Sequence, residues 1–117
     1  MGSILVADDN ESFADLLRAT LEDAGYEVLT ASTGLAAVAC VERNDVDVAV
    51  LDVLMPGISG DAVAERLRQV MPELPVLLMT GSDDAFASGS GLPVLRKPFP
   101  EEELLAAVRR LSLKKVQ

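Results

Sequence analysis

The chain has 117 residues, half of them hydrophobic and a quarter charged, with a formal net charge of −9 and no histidine. That size fits one domain spanning residues 1–117, and the composition suits a compact core of Val, Leu and Ala rather than a disordered segment. The acidity argues against direct contact with nucleic acid, whose phosphates attract surplus Lys and Arg. The missing histidine removes His-based triads, His-containing zinc sites and any phosphohistidine carried on this chain. Cys40 is the only cysteine, so no disulfide forms, and it reads as a core thiol in a reducing compartment. No apolar stretch approaches the roughly 20 residues that cross a bilayer, and no signal-type core follows a charged N-terminus. The expected location is cytoplasmic. Met1-Gly2 looks like the start of a myristoylation signal, but Val6 stands where Ser or Thr is expected.

Apolar runs alternate with amphipathic helical patterns from end to end, which predicts an α/β fold with helices on both faces of a parallel sheet. The first strand is Ile4 to Ala7. A helix follows, with Phe13, Leu16, Leu17, Thr20, Leu21 and Ala24 at helical spacing and Gly25 as C-terminal cap. Tyr26 to Ala31 is the second strand, and Ser32 or Thr33 caps a helix carrying Leu35, Val38 and Val41. The third strand is Val46 to Leu51, and Met55 to Gly60 is a loop. A third helix runs from Asp61 to Val70 and stops before Pro72; the fourth strand is Val76 to Met79. Ser82 to Gly91 is rich in Ser and Gly and has room for about two helical turns. A fourth helix is therefore expected to be shortened or missing. Leu92 to Leu95 is the fifth strand, and Pro100-Glu101-Glu102-Glu103 opens a last helix with acids first and Arg109, Arg110, Lys114 and Lys115 last, matching the helix dipole.

In that arrangement Asp8 and Asp9 follow the first strand, Asp52 the third, Thr80 the fourth and Lys97 the fifth. Open parallel sheets place their sites at this carboxyl edge. Each residue has an ordinary alternative: Asp8, Asp9 or Asn10 as a helix cap, Asp52 as a turn acid, Thr80 as structural and Lys97 as a surface charge. Agreement at four strand ends favours a site. Crowded carboxylates need positive charge, either a divalent cation held by oxygen ligands or Lys97.

The whole chain resembles the receiver domains of two-component response regulators. Leu5-Val6-Ala7-Asp8-Asp9 looks like the family's acidic pair, Leu51-Asp52-Val53-Leu54-Met55-Pro56-Gly57 like its phosphoacceptor segment, Met79-Thr80-Gly81 like its hydroxyl position, and Lys97-Pro98-Phe99 like its Lys-Pro motif. The resemblance implies a doubly wound five-stranded parallel sheet in the flavodoxin-like order 2-1-3-4-5. It implies phosphorylation of Asp52, Mg²⁺ held by Asp9, Asp52 and the backbone carbonyl of Leu54, Asp8 acting largely through a bound water, and Thr80 and Lys97 on phosphoryl oxygens. Pro98 would follow a cis peptide bond. The donor would be a phosphohistidine on a histidine kinase or phosphotransfer protein, and the product an aspartyl phosphate whose hydrolysis resets the site. The chain would thus be a switch that assists its own phosphorylation and dephosphorylation rather than a turnover enzyme. It would be a monomer or weak dimer acting on a downstream protein, without membrane or nucleic-acid contact.

Two departures from the family pattern carry expectations of their own. Val94 stands where many members have an aromatic residue, and seventeen positions separate Thr80 from Lys97, fewer than usual. Together they predict that the signal leaves through the Thr80 to Gly91 loop, and the short loop with its Arg96-Lys97-Pro98-Phe99 ending also resembles receivers attached to hybrid histidine kinases. Leu54, two positions past the acceptor, has no polar group to place a hydrolytic water, and Ser82 does so weakly; the phospho-form is expected to last minutes or longer. Three other classes compete. An interaction module independent of phosphorylation would keep the fold but not the switch, and the intact acid set with Thr80 and Lys97 speaks against it. A flavodoxin-like cofactor binder needs Ser, Thr and Gly donors where Asp8-Asp9-Asn10-Glu11 stands. A haloacid-dehalogenase-type phosphatase expects an acid at Leu54.

Overall fold

The computed structural model describes residues 2–55, 60–81 and 91–116. Among these residues nine elements follow in order: β1 (Ser3–Ala7), α1 (Glu11–Asp23), β2 (Glu27–Ala31), α2 (Gly34–Arg43), β3 (Val48–Asp52), α3 (Gly60–Val70), β4 (Val76–Thr80), β5 (Val94–Arg96) and α4 (Glu101–Val116). All strand pairs are parallel, in the order β2-β1-β3-β4-β5. This is the doubly wound order expected. The shortened or missing helix expected within 82–90 lies outside the described residues.

Period-two alternation sends neighbouring strand residues to opposite faces. Leu5, Ala7, Ala49, Leu51, Val76 and Leu78 meet Ala37, Val38 and Val41 of α2 and Val63 and Leu67 of α3. Ile4, Val6, Val48, Val50, Leu77 and Met79 meet Ala14, Leu17 and Leu21 of α1 and Leu104, Val108 and Leu111 of α4. Because both faces of β1, β3 and β4 are covered, these strands are apolar except at their ends, Ser3, Asp52 and Thr80, and each Val or Leu so buried contributes roughly 1.5–3 kcal/mol. Thr20 of α1, buried beneath α4, donates its hydroxyl to Glu101 at 3.1 Å, a polar tie between two helices on one face. No helix among the described residues is long and apolar enough to cross a membrane.

Local chemistry sets the boundaries. Asn10 caps α1 by accepting from the Phe13 amide, and Thr33 caps α2 by accepting from the Ala36 amide. Gly25, at φ 98°, makes the left-handed turn that ends α1. β3 begins two residues later than expected because the Asp47 carboxylate takes the Ser3 amide at 2.7 Å, and it runs one residue further, through Asp52. β4 likewise reaches Thr80. The fifth strand shifts from the expected Leu92–Leu95 to Val94–Arg96: Pro93 has no amide to give the ladder, though its carbonyl accepts from Leu78 at 2.9 Å. Cys40 is half-buried against the α2–α3 side of the core, and burial pushes its thiol pKa up, as suits an inert thiol.

Candidate functional site

Register brings the site residues to one edge. Ala7 pairs with Leu51, so the next residues, Asp8 and Asp52, emerge side by side. Asp52 pairs with Met79, Thr80 with Arg96, and Lys97 follows Arg96, which sets Thr80 and Lys97 just beyond the level of Asp52. One oxygen from each of Asp8, Asp9 and Asp52 lies within 4.8 Å of the others. The Lys97 ammonium bridges two of them, donating to Asp8 Oδ2 at 2.9 Å and Asp52 Oδ2 at 3.0 Å.

Each acid is held differently. Asp8 is 1% exposed, and its second oxygen accepts the Asn10 amide at 2.9 Å. Asp52 is 7% exposed, and its Oδ1 accepts the Leu54 amide at 3.0 Å, which fixes the carboxylate plane and turns Oδ2 toward Lys97. Asp9 is exposed, and its carboxylate has no hydrogen-bond partner among the described residues. The choice left open by the sequence resolves here: Asn10 caps the helix, so neither aspartate is spent on it. Thr80 is buried at the end of β4, and its carbonyl accepts the Lys97 amide at 2.7 Å. Leu54 is 65% exposed. The Lys97-Pro98 bond is cis.

Electrostatics follow from burial. Desolvation pushes the Asp52 pKa up, opposed by the Leu54 amide and then by Lys97, with the Asp8 charge adding to the rise. For Lys97 burial alone would lower the value, but its hydrogen bonds to Asp8 and Asp52 outweigh that and raise it. Three carboxylates against one ammonium leave the edge net negative. A close set of hard oxygen donors, one of them solvent-facing and without a partner among the described residues, fits a small divalent cation such as Mg²⁺, which keeps several waters. A cleft of about 270 Å³ opens beside it, lined by Asp8, Glu11, Asp15, Thr30 and Ser32.

One participant escaped the sequence reading. The Lys97 ammonium lies 4.5 Å from the centroid of the Phe13 ring, and Phe13 packs edge-on to Phe99 with centroids 6.0 Å apart. Phe13 had read only as the first apolar position of α1. Its placement four residues past Asp9, on the first turn of the helix that rises from the site, was the signal available.

The family model of the response regulator receiver domain matches residues 4–109. The alkaline phosphatase synthesis transcriptional regulatory protein PhoP of Bacillus subtilis is 39% identical over 113 residues, covering 92% of this chain and 47% of PhoP. The chain thus spans about half the length of the curated relatives it matches. A response regulator receiver domain protein from Clostridium thermocellum superposes with a TM-score of 0.91 at 30% identity, over 98% of this chain and 97% of the other. The response regulator TrrA of Thermotoga maritima, in complex with Mg²⁺-BeF, superposes with a TM-score of 0.86 at 32% identity, over 95% and 99% of the two chains.

Proposed function

The chain belongs to the response regulator receiver domain family of two-component systems, and from that premise we propose that it is a phosphoacceptor switch whose acceptor is Asp52. The observation that carries this reading is the placement of Asp52 Oδ2 at 3.0 Å from Lys97, beside Asp8 and Asp9, at the carboxyl edge of the sheet. A carboxylate attacks an anionic phosphoryl group poorly unless positive charge meets the phosphoryl oxygens and the reactants are held in line.

The chain's residues divide that task. The Leu54 amide holds the Asp52 carboxylate in one orientation, and burial behind β3 keeps it there. An oxygen of Asp52 attacks phosphorus, the bond from phosphorus to the donor nitrogen breaks, and that electron pair leaves with the imidazole. Lys97, released from Asp52 as its charge is consumed, turns to the phosphoryl oxygens, with the Thr80 hydroxyl as a further donor. Asp8, Asp9, Asp52 and the Leu54 carbonyl form the set that would hold Mg²⁺, with Asp8 acting largely through water; when bound, the ion supplies charge neutralisation at the phosphoryl oxygens. Water attack on phosphorus later returns the carboxylate and releases inorganic phosphate.

With no histidine among these 117 residues, the donor imidazole belongs to another protein segment, a histidine kinase or a phosphotransfer protein. The domain works in the cytoplasm as a monomer or weak dimer and passes its state to a downstream protein, without touching nucleic acid or membrane itself. Intact mass after incubation with Mg²⁺ and acetyl phosphate tests the reading. One phosphoryl group is expected on the wild type, and none on Asp52→Ala or without metal. No gain from acetyl phosphate or from a panel of phosphorylated histidine kinases would instead make this a phosphate-independent interaction module.

A further inference from the structure

An ammonium has three N–H donors, and in Lys97 two are directed at Asp8 and Asp52. The Phe13 ring stands over the same nitrogen at 4.5 Å. An aromatic face carries partial negative charge and attracts a cation most strongly where water is excluded. The ring is itself held: Phe13 is half-buried, its amide donates to the Asn10 cap at 3.1 Å, and Phe99 meets its ring at an interplanar angle of 74°. Phe99 lies two residues beyond Lys97, so the chain that carries the lysine also braces the ring that faces it.

From this geometry we infer that Phe13 is a positioning residue for phosphoryl transfer, acting through Lys97. This rests on the receiver reading above. When Asp52 is consumed in the reaction, Lys97 loses one carboxylate partner and must reach the phosphoryl oxygens without swinging into solvent. Asp8 alone leaves a long, flexible side chain free to rotate about one contact. The Phe13 face supplies a second fixed attraction that does not change when Asp52 is phosphorylated, because an aromatic ring has no proton or bond to exchange. The ring therefore narrows the arc over which the ammonium moves and directs it to the new negative charge.

The test compares wild type, Phe13→Leu, Phe13→Tyr and Leu17→Ala, with Asp52→Ala as the phosphorylation control. Lys97 is one of three lysines, so ¹³C-lysine labelling gives a readable spectrum. A proton above an aromatic face is shifted upfield, so the Lys97 ε-methylene should be upfield in wild type and Phe13→Tyr and return to the random-coil position in Phe13→Leu. The maximal rate of phosphoryl uptake from acetyl phosphate should fall about fivefold in Phe13→Leu, with the half-saturating concentration unchanged, and recover in Phe13→Tyr. Leu17→Ala, which removes core packing on the same helix, should lower the unfolding midpoint and leave both readouts unmoved. Wild-type phosphorylation with unchanged shift and rate in Phe13→Leu overturns the role of Phe13 alone. Absence of phosphorylation in the wild type overturns the receiver reading, and this inference with it.

Discussion

Asp52 and Lys97 touch at 3.0 Å, yet they stand on supports of opposite kind. Asp52 ends β3, which pairs with a strand on each side and is buried at all five residues. Lys97 follows β5, a three-residue strand paired on one side only to β4 and half-buried to exposed. Asp52 is thus locked into the core, whereas Lys97 is held by the Thr80 carbonyl, two carboxylates and a ring. The proposed phosphoacceptor switch needs this division. The reacting atom must stay in register with the donor, and the group that answers its change of charge must be able to move.

The largest test of the comparison is mechanical. Leu51, wholly buried in β3, and Leu95, half-buried in β5, can each be cut to Ala. Leu51→Ala is expected to lose about 3–4 kcal/mol in urea unfolding and Leu95→Ala about 1 kcal/mol, since the cavity left at an edge is partly filled by water or collapse. Equal losses would mean that β5 is as firmly built as β3, and the proposed division of labour would fail.

A smaller effect separates the two charges. Burial raises the Asp52 pKa in the folded chain above its ordinary 3.8, so the native state holds that proton more tightly than the unfolded state does. Stability from this group is therefore greatest below the ordinary value and declines as pH rises through the raised one. Without metal, in chelator, wild-type stability should decline over that window relative to Asp52→Asn, whose amide does not titrate. Parallel profiles would show Lys97 compensating Asp52 fully, and hence as rigidly placed as the acid it pairs with.

The same contrast explains what the sequence revealed. β1, β3 and β4 are continuous apolar runs because both faces are covered, and their ends expose Asp8, Asp52 and Thr80 to one edge; runs and terminal polar residues are both visible in a string of letters. β5 was misplaced by two residues at its start because its limits depend on which amides find a partner, and Pro93 has none to give. The cap on α1 was ambiguous among three neighbouring residues until the Asn10 side chain met the Phe13 amide. Phe13 itself looked like ordinary core because periodicity reports which face of a helix is apolar, not what its first turn meets across the sheet edge. The loop expected to carry the signal, Thr80 to Gly91, falls largely outside the described residues.

The finest test lies just past the rigid side, at Leu54. Its amide grips Asp52 Oδ1, while the residue is 65% exposed and its side chain carries no group that would orient water for attack on a phosphoryl at Asp52. Leu54→Asn keeps the amide and changes only what stands beside the phosphoryl group. The carboxamide can hold a water in line, and the phospho-form should decay about tenfold faster, a barrier change of about 1.4 kcal/mol, with uptake from acetyl phosphate little altered. The measurement is the fall of phosphorylated mass after the donor is removed, with Leu54→Met as the control for shape. An unchanged lifetime would shift the slow step away from water placement at the β3 end and onto release of the aspartyl phosphate from Lys97, which would make the mobile side of the site the timer.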